Sequence, residues 1–275
     1  MKSVLSVQDL SCVGRCSLTV ALPVLSAMEC RCSVLPTAVL STHTGFSQPE
    51  IIPLTEHIGS IGAHFERIGV AFDAVTVGYL ANPAQVEAVL PLLKYYRSRG
   101  SLIVIDPAMG DHGKLYSNLT DAHARAMATL CQEADILLPN VTEAALLSGI
   151  EYAEQPDEDY LARLTDAMLE LPAKAVVITG VSGKNGTIGF CGAHRASGRF
   201  SYRTPIVPKQ FHGTGDLFAA VFTGGVLSGK TVLQAAEQAA DFVKACVAGT
   251  EKVTPYGVEF EKQLPLLWTK NNKGM

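Results

Sequence analysis

Short runs of β-branched and aliphatic residues, each breaking off at polar residues, alternate along this chain with longer segments of helical pattern. Residues 4–7 form the first run, a helical pattern covers 16–28, and a second run covers 33–40. The same beat returns with a run at 74–77, a helix over 83–99, and further runs at 102–105, 136–138 and 175–178. Pro83 suits the first turn of its helix and Gly100 the position just past its end. Continuously apolar strands separated by helices imply a mainly parallel sheet covered on both faces. The expected fold is therefore α/β in three layers, a central sheet with helices on both sides. A length of 275 residues admits one large domain or two small ones. With no internal repeat and no low-complexity linker, the expectation is one domain spanning 1–275.

In such sheets ligands bind outside the carboxyl ends of the strands. The polar residues that follow each run are thus the candidates: Gln8 and Asp9, the 42–44 segment, Tyr79, Asp106 and Asp111, Asn140 and Glu143, and Thr179. The acidic stretch 151–159 lies between two helical patterns and reads as a solvated loop.

Composition narrows the ligand. The 22 Lys+Arg are spread thinly against 26 Asp+Glu, which leaves no basic stripe to neutralise a run of phosphates, so no nucleic acid is expected and any nucleotide should be small. The first apolar run is broken by Gln8 and Asp9, far short of a signal peptide's core or the ~20 residues that span a bilayer. A cytoplasmic location and no membrane are the expectation. Seven cysteines, with no CxxC pair, read as reduced thiols in the interior; a metal site at Cys12, Cys16, Cys30 and Cys32 is the alternative.

The run Gly213-Thr214-Gly215-Asp216 opens directly into an apolar helix. Two glycines let backbone amides converge there, and the first N–H groups of a helix lack partners and sit at the positive end of its dipole, so they can hold an anion. Amides fixed in advance stabilise a transferring phosphoryl group, and Asp216 would take the proton of the attacking hydroxyl. The plain alternative is a turn with Asp216 as a helix cap. The neighbours favour the chemical reading. Asp106 and Asp111 lie five residues apart after one strand, and Asn140 and Glu143, three apart, share one side of a first helical turn after the next. Mg²⁺ prefers a few carboxylates with water and phosphate oxygens, and these groups together outline a metal-phosphate site, although each alone can be a turn former or cap.

Residues 224–231 match the G-x-x-x-x-G-K-[ST] phosphate loop letter for letter. That loop needs a preceding strand, a following helix and a later strand ending in Asp. Only 44 residues follow Thr231 and none forms such a strand, so Gly224 to Thr231 reads as a helix end and turn. The Asn-x-Thr sequons at Asn118 and Asn140 carry no meaning inside a cell.

Several runs together resemble one family: Leu5-Ser6-Val7-Gln8, His43-Thr44-Gly45, Gly78-Tyr79-Leu80, Asp106-Pro107-Ala108-Met109-Gly110-Asp111, Pro139-Asn140-Val141-Thr142-Glu143 and Gly213-Thr214-Gly215-Asp216. They are similar to the pyridoxal (vitamin B6) kinases of the ribokinase superfamily, over nearly the whole chain. The resemblance implies a ribokinase-like fold and transfer of the ATP γ-phosphate to the hydroxymethyl group of pyridoxal, pyridoxamine or pyridoxine. It implies Asp216 as base, with the amides of Gly213, Thr214, Gly215 and Asp216 as the anion hole. Asp106, Asp111, Asn140 and Glu143 would organise Mg²⁺ and the ATP phosphates, with Asp106, Asp111 and Glu143 nearest the metal and Thr179 and Gly180 near the nucleotide. Thr44 and Tyr79 would contact the pyridine ring, with His43 beside it. A homodimer and a monovalent cation such as K⁺ are also implied. The family usually has Ser where this chain has Asp9; a carboxylate there would shift preference toward pyridoxamine or a pyrimidine alcohol. The competing readings are a hydroxymethylpyrimidine kinase of thiamine synthesis and a non-catalytic small-molecule binder on the same fold.

Overall fold

Alternate side chains of a strand leave opposite faces of its sheet, and in this protein that parity sorts the central strands between two cores. The computed structural model describes residues 1–183 and 186–268. In chain order the elements are β1 (Lys2–Ser11), α1 (Leu18–Ala27), β2 (Cys30–Leu40), β3 (Ile51–Pro53), α2 (Thr55–Arg67), β4 (Ala74–Val77), α3 (Pro83–Ser98) and β5 (Leu102–Ile105). A two-stranded ribbon of β6 (Gly110–Asp111) and β7 (Lys114–Leu115) follows, then α4 (Asp121–Cys131), β8 (Ile136–Leu137), α5 (Val141–Ser148), α6 (Glu158–Glu170), β9 (Ala175–Gly183), β10 (Thr187–His194), β11 (Gly198–Pro205), α7 (Thr214–Leu227) and α8 (Val232–Gly249). A 3₁₀ turn at Glu261–Leu267 closes the described chain.

The main sheet runs β11-β10-β9-β8-β5-β4-β1-β2-β3. From β2 through β9 every neighbouring pair is parallel; β3 at one edge and β10 and β11 at the other are antiparallel. Leu5, Val7, Val75, Val77, Ile103 and Ile105 face a core shared with helices α2 to α6. Val4, Val104, Ile136 and Val177 face the other, built with α1, α7 and α8. Both faces are covered, as the continuous apolar runs require. No helix among the described residues is long and apolar enough to cross a membrane.

The structure moves several expected boundaries. The first strand reaches Ser11 because β2 supplies partners past Val7, and the register between them shifts between Gln8 and Leu10. The strand expected at 175–178 continues through Thr179 and Gly180 to Gly183, held by its antiparallel partner β10. Of the acidic stretch, Asp157 caps α6 by accepting the Tyr160 N–H at 2.8 Å, and Glu158 and Asp159 form its first turn. Charge there complements the positive end of the helix dipole. Residues 224–227 finish α7, Gly229 turns the chain with φ 92°, and Thr231 caps α8 reciprocally with Gln234. The phosphate-loop lookalike is a helix end and turn. All seven cysteines are free thiols.

Candidate active site

Val7, Val77 and Ile105 are in register, so the chain leaves β1, β4 and β5 at one level and delivers Gln8 and Asp9, Gly78 and Tyr79, and Asp106 to one edge. Asn140 bridges to Thr179 beside them. Across this edge stands the N-terminus of α7.

Gly213 caps α7 with φ 84°, a left-handed conformation natural to glycine. A Cβ there would lie 2.0 Å from the Arg15 carbonyl oxygen, so the close approach of the two loops also demands Gly. No side chain caps α7, which leaves its first N–H groups for a ligand. Asp216 is the third helical residue, in the first turn and not the capping position. A Cβ on Gly215 would lie 4.0 Å from Asp106 Oδ2, so Asp106 faces this turn.

Burial raises the Asp216 carboxyl to about 7; the nearby Ser17 backbone N–H works against the rise, and the charges of Asp106 and Asp9 add to it. Burial also raises Asp106 and Glu143, and the charge of Asp106 pushes Glu143 higher. Burial, more than mutual charge, holds these three carboxyls toward the protonated form.

The α5 cap fixes Glu143. Asn140 Oδ1 accepts the Glu143 N–H at 2.9 Å, and Glu143 Oε2 accepts the Asn140 N–H at 2.8 Å. Glu143 Oε1 takes the Met109 N–H at 3.0 Å, and the Asn140 side-chain amide donates to the Gly110 carbonyl at 2.8 Å. Glu143, 2% exposed, therefore braces the loop that carries Asp106. Asp111 lies on the outer side, 61% exposed at its side chain, with its carboxylate accepting the His112 N–H at 2.8 Å. Among the described residues no three His, Cys, Asp or Glu side chains are arranged to hold a metal ion. Asp106, Asp111 and Glu143 are not drawn together as a direct ligand set, because Glu143 is spent on backbone amides and Asp111 on its own turn.

Tyr79 is half-buried and its hydroxyl accepts from the Asn118 side-chain amide at 2.5 Å. Thr44 is exposed on a turn. His43 is buried, and its ring nitrogens are occupied: Nδ1 accepts the Gly45 N–H at 3.0 Å and Nε2 donates to the Pro255 carbonyl at 2.6 Å. That pairing makes it the neutral tautomer, and burial lowers its pKa. Its ring packs against His212 and Phe46, with centroids 4.8 and 5.0 Å apart. A Cβ on Gly45 would lie 2.4 Å from His212 Nε2. The His43-Thr44-Gly45 run thus locks three loops together and leaves no His43 nitrogen for a ligand. Thr179 donates its N–H to the Pro139 carbonyl at 2.8 Å, and Gly180 follows with φ 68°.

Asp9 is 3% exposed and its carboxylate is turned onto its own loop, accepting from Ser11 Oγ at 3.1 Å and Ser17 Oγ at 2.5 Å. Sequence reasoning missed Ser11, Ser17 and Tyr116. Tyr116 lies among the acids, its hydroxyl raised by burial and then by Glu143, Asp106, Asp111 and Asp216. It also missed Asn118, whose sequon was a visible but uninformative signal. Nothing in periodicity or spacing marks Ser11 and Ser17 as the partners of the Asp9 carboxylate.

The three-layer fold, with its carboxylates at the strand ends facing a glycine-opened helix, is that of the ribokinase-like kinases. The chain belongs to the phosphomethylpyrimidine kinase family, whose pattern it matches over residues 22–259. It is 32% identical to a Bacteroides thetaiotaomicron protein assigned to phosphomethylpyrimidine kinases and solved with pyridoxal, with a TM-score of 0.92 over 97% of this chain and 95% of that one. It is likewise 32% identical to the pyridoxal kinase of Lactobacillus plantarum, with a TM-score of 0.88 over 97% and 96% of the two chains. A pyridoxine/pyridoxal/pyridoxamine kinase of Bordetella pertussis is 29% identical over 252 residues, 86% of this chain and 85% of that protein.

Proposed function

We propose that this protein transfers the γ-phosphate of ATP to the hydroxymethyl group of a B6 vitamer. The observation that carries the reading is Asp216 in the first turn of α7, behind a Gly213 that only a residue without Cβ can occupy, and beside Asp106. The free amides at 213–216 hold the transferring phosphoryl group, whose charge they meet without reorganising. Asp216 accepts the proton of the hydroxymethyl group as it attacks. Phosphoryl transfer asks little else of a protein beyond positioning and charge compensation.

An Mg²⁺ ion fits this donor set through one carboxylate, water and phosphate oxygens. Asp106, half-buried and facing α7, is the side chain that would hold it, with Glu143 and Asn140 fixing the loop and Asp111 at the rim. When bound, the ion neutralises phosphate charge. Tyr79 and Thr44 line the substrate side of the edge, and Thr179 and Gly180 the nucleotide side. The homodimer and the monovalent cation implied by the resemblance belong to the same proposal.

The relatives' pyridoxal kinase names and the pyridoxal complex at 32% identity support a B6 vitamer. The family's own description, phosphomethylpyrimidine kinase, points to a pyrimidine ring and favours a second reading, a kinase acting on hydroxymethylpyrimidine. Turnover of pyridoxal, pyridoxamine, pyridoxine and hydroxymethylpyrimidine, each with MgATP, separates them. Preference for any vitamer supports the first reading; preference for the pyrimidine replaces it; no ATP consumption with any of the four makes the protein a binder.

A further inference from the structure

The backbone around Tyr79 is tied to β2. Thr37 Oγ1 donates to the Tyr79 carbonyl at 3.4 Å, and Gln85 spans the same two segments, its Oε1 accepting the Ala81 N–H at 2.7 Å and its Nε2 donating to the Thr37 carbonyl at 2.6 Å. The Tyr79 ring packs against the core shared with α2 to α6. What remains to be fixed is the phenol end, and the Asn118 side-chain amide takes it at 2.5 Å. Among the described residues that amide is the phenol's one hydrogen-bond partner.

Asn118 is exposed, a setting in which an asparagine ordinarily bonds to water or to its own turn. Its turn is already held without it. The Tyr116 N–H donates to the Met109 carbonyl at 3.0 Å, the Leu119 N–H donates to the Tyr116 carbonyl at 2.9 Å, and Leu119 is buried in the core against which the Tyr79 ring packs. Met109 in turn gives its own N–H to Glu143 Oε1 at 3.0 Å. The turn 116–119 is therefore tied to the core and to the loop that carries Asp106, and from this fixed base Asn118 reaches Tyr79.

We infer that Asn118 is a positioning residue for substrate recognition: its amide fixes the Tyr79 hydroxyl, so that the phenol meets the ring of an aromatic alcohol in one orientation. This rests on the reading of Tyr79 as lining the substrate side. A phenol oxygen carries one proton and two lone pairs, so one bond to Asn118 leaves capacity for a polar atom on the substrate ring. Ordering the side chain before the ligand arrives removes that cost from binding. The effect falls on the substrate's KM and not on the chemistry at Asp216.

The test is steady-state kinetics on Asn118→Ala, Tyr79→Phe, the double variant Asn118→Ala/Tyr79→Phe and Thr120→Ala, with pyridoxal, pyridoxamine, pyridoxine and hydroxymethylpyrimidine. For the best of these alcohols Asn118→Ala is expected to raise KM about 3- to 10-fold, with kcat and the KM for MgATP within about twofold of the parent's. Tyr79→Phe raises the same KM at least as far, and adding Asn118→Ala to it costs nothing further, because the hydroxyl that Asn118 holds is gone. Thr120, the N-cap residue of α4, makes no side-chain cap bond, and Thr120→Ala keeps the parent's KM. Losses that multiply in the double variant, a fall in kcat at constant KM, or an equal KM rise in Thr120→Ala overturn the inference. A KM rise in Tyr79→Phe with a parent-like KM in Asn118→Ala fails the inference alone; a parent-like KM in Tyr79→Phe fails the reading of Tyr79 and takes the inference with it. Should no alcohol support ATP consumption, the kinase reading fails, and the same pattern is expected in the dissociation constants of pyridoxal measured by calorimetry, where absence of pyridoxal binding overturns the inference too.

Discussion

Asn140 and Glu143 cap each other across the first turn of α5, with bonds of 2.9 and 2.8 Å, and the free oxygen of Glu143 reaches across to the Met109 amide at 3.0 Å. One buried carboxylate thereby ties a helix start to the loop that carries Asp106. Glu143→Gln places an NH₂ group against a backbone N–H, leaving at least one buried donor unpaired at a cost of about 1–3 kcal/mol. Urea unfolding should show that loss, and KM for MgATP should rise as the Asp106 loop loosens. A fully stable variant with a normal KM would contradict the bracing role.

Asp216→Asn keeps size and polarity and removes the proton acceptor. Turnover should fall about 100- to 10,000-fold, while the dissociation constant of ATP, measured by calorimetry, stays within a small factor of the parent's.

The pH dependence follows from the same carboxyl. With Asp216 raised to about 7, the ionised base is scarce in acid, so kcat/KM should climb with pH and level off above about 7, the limb reporting the free enzyme. Stability without ligand runs the other way. The folded-state pKa lies above the unfolded value, so between about pH 4 and 7 the folded protein binds a proton that the unfolded chain releases, and stability falls as pH rises through that window. Melting temperatures across that range should fall less steeply in Asp216→Asn.

Gly213→Ala drives a Cβ to 2.0 Å from the Arg15 carbonyl and forces Ala into φ 84°. The loop must move, and turnover should drop at least about tenfold as the α7 amides shift. Gly69→Ala is the control: φ is 70°, nothing lies within 4 Å of the added carbon, and about 1–2 kcal/mol of strain with unchanged kcat is expected.

Lys230 follows the turn after α7, far from the role its sequence match advertises. Lys230→Ala should leave kcat and the KM for ATP unchanged. Thr231→Ala, which removes the reciprocal cap with Gln234, should cost about 1 kcal/mol in thermal or chemical unfolding and no turnover.

The central strands were legible because each is a short continuous apolar run. β4 and β5 match residues 74–77 and 102–105 to the residue. The antiparallel strands at one side of the sheet were not: β10 is interrupted by Gly189 and Gly192, β11 carries Gly, Ser, Thr and Arg around Phe200 and Tyr202, and their pairing is what makes them strands. Strand ends were legible as a class of position, which is how Asp106, Asn140 and Glu143 were singled out together, while Asp216 was marked by the glycine run that opens α7.

What the sequence determined by itself was the layered parallel sheet, the edge at which ligands meet it, and the glycine-opened helix start that carries Asp216, since all three follow from local periodicity and local backbone needs. What only the tertiary structure decided was the direction of each polar side chain. Asp9 turns to Ser11 and Ser17, Glu143 to three amides, and His43 to Gly45 and Pro255. A buried polar group must find a partner, and the partners that fix Glu143 on the Met109 loop and His43 against Pro255 lie at sequence distances no local pattern records.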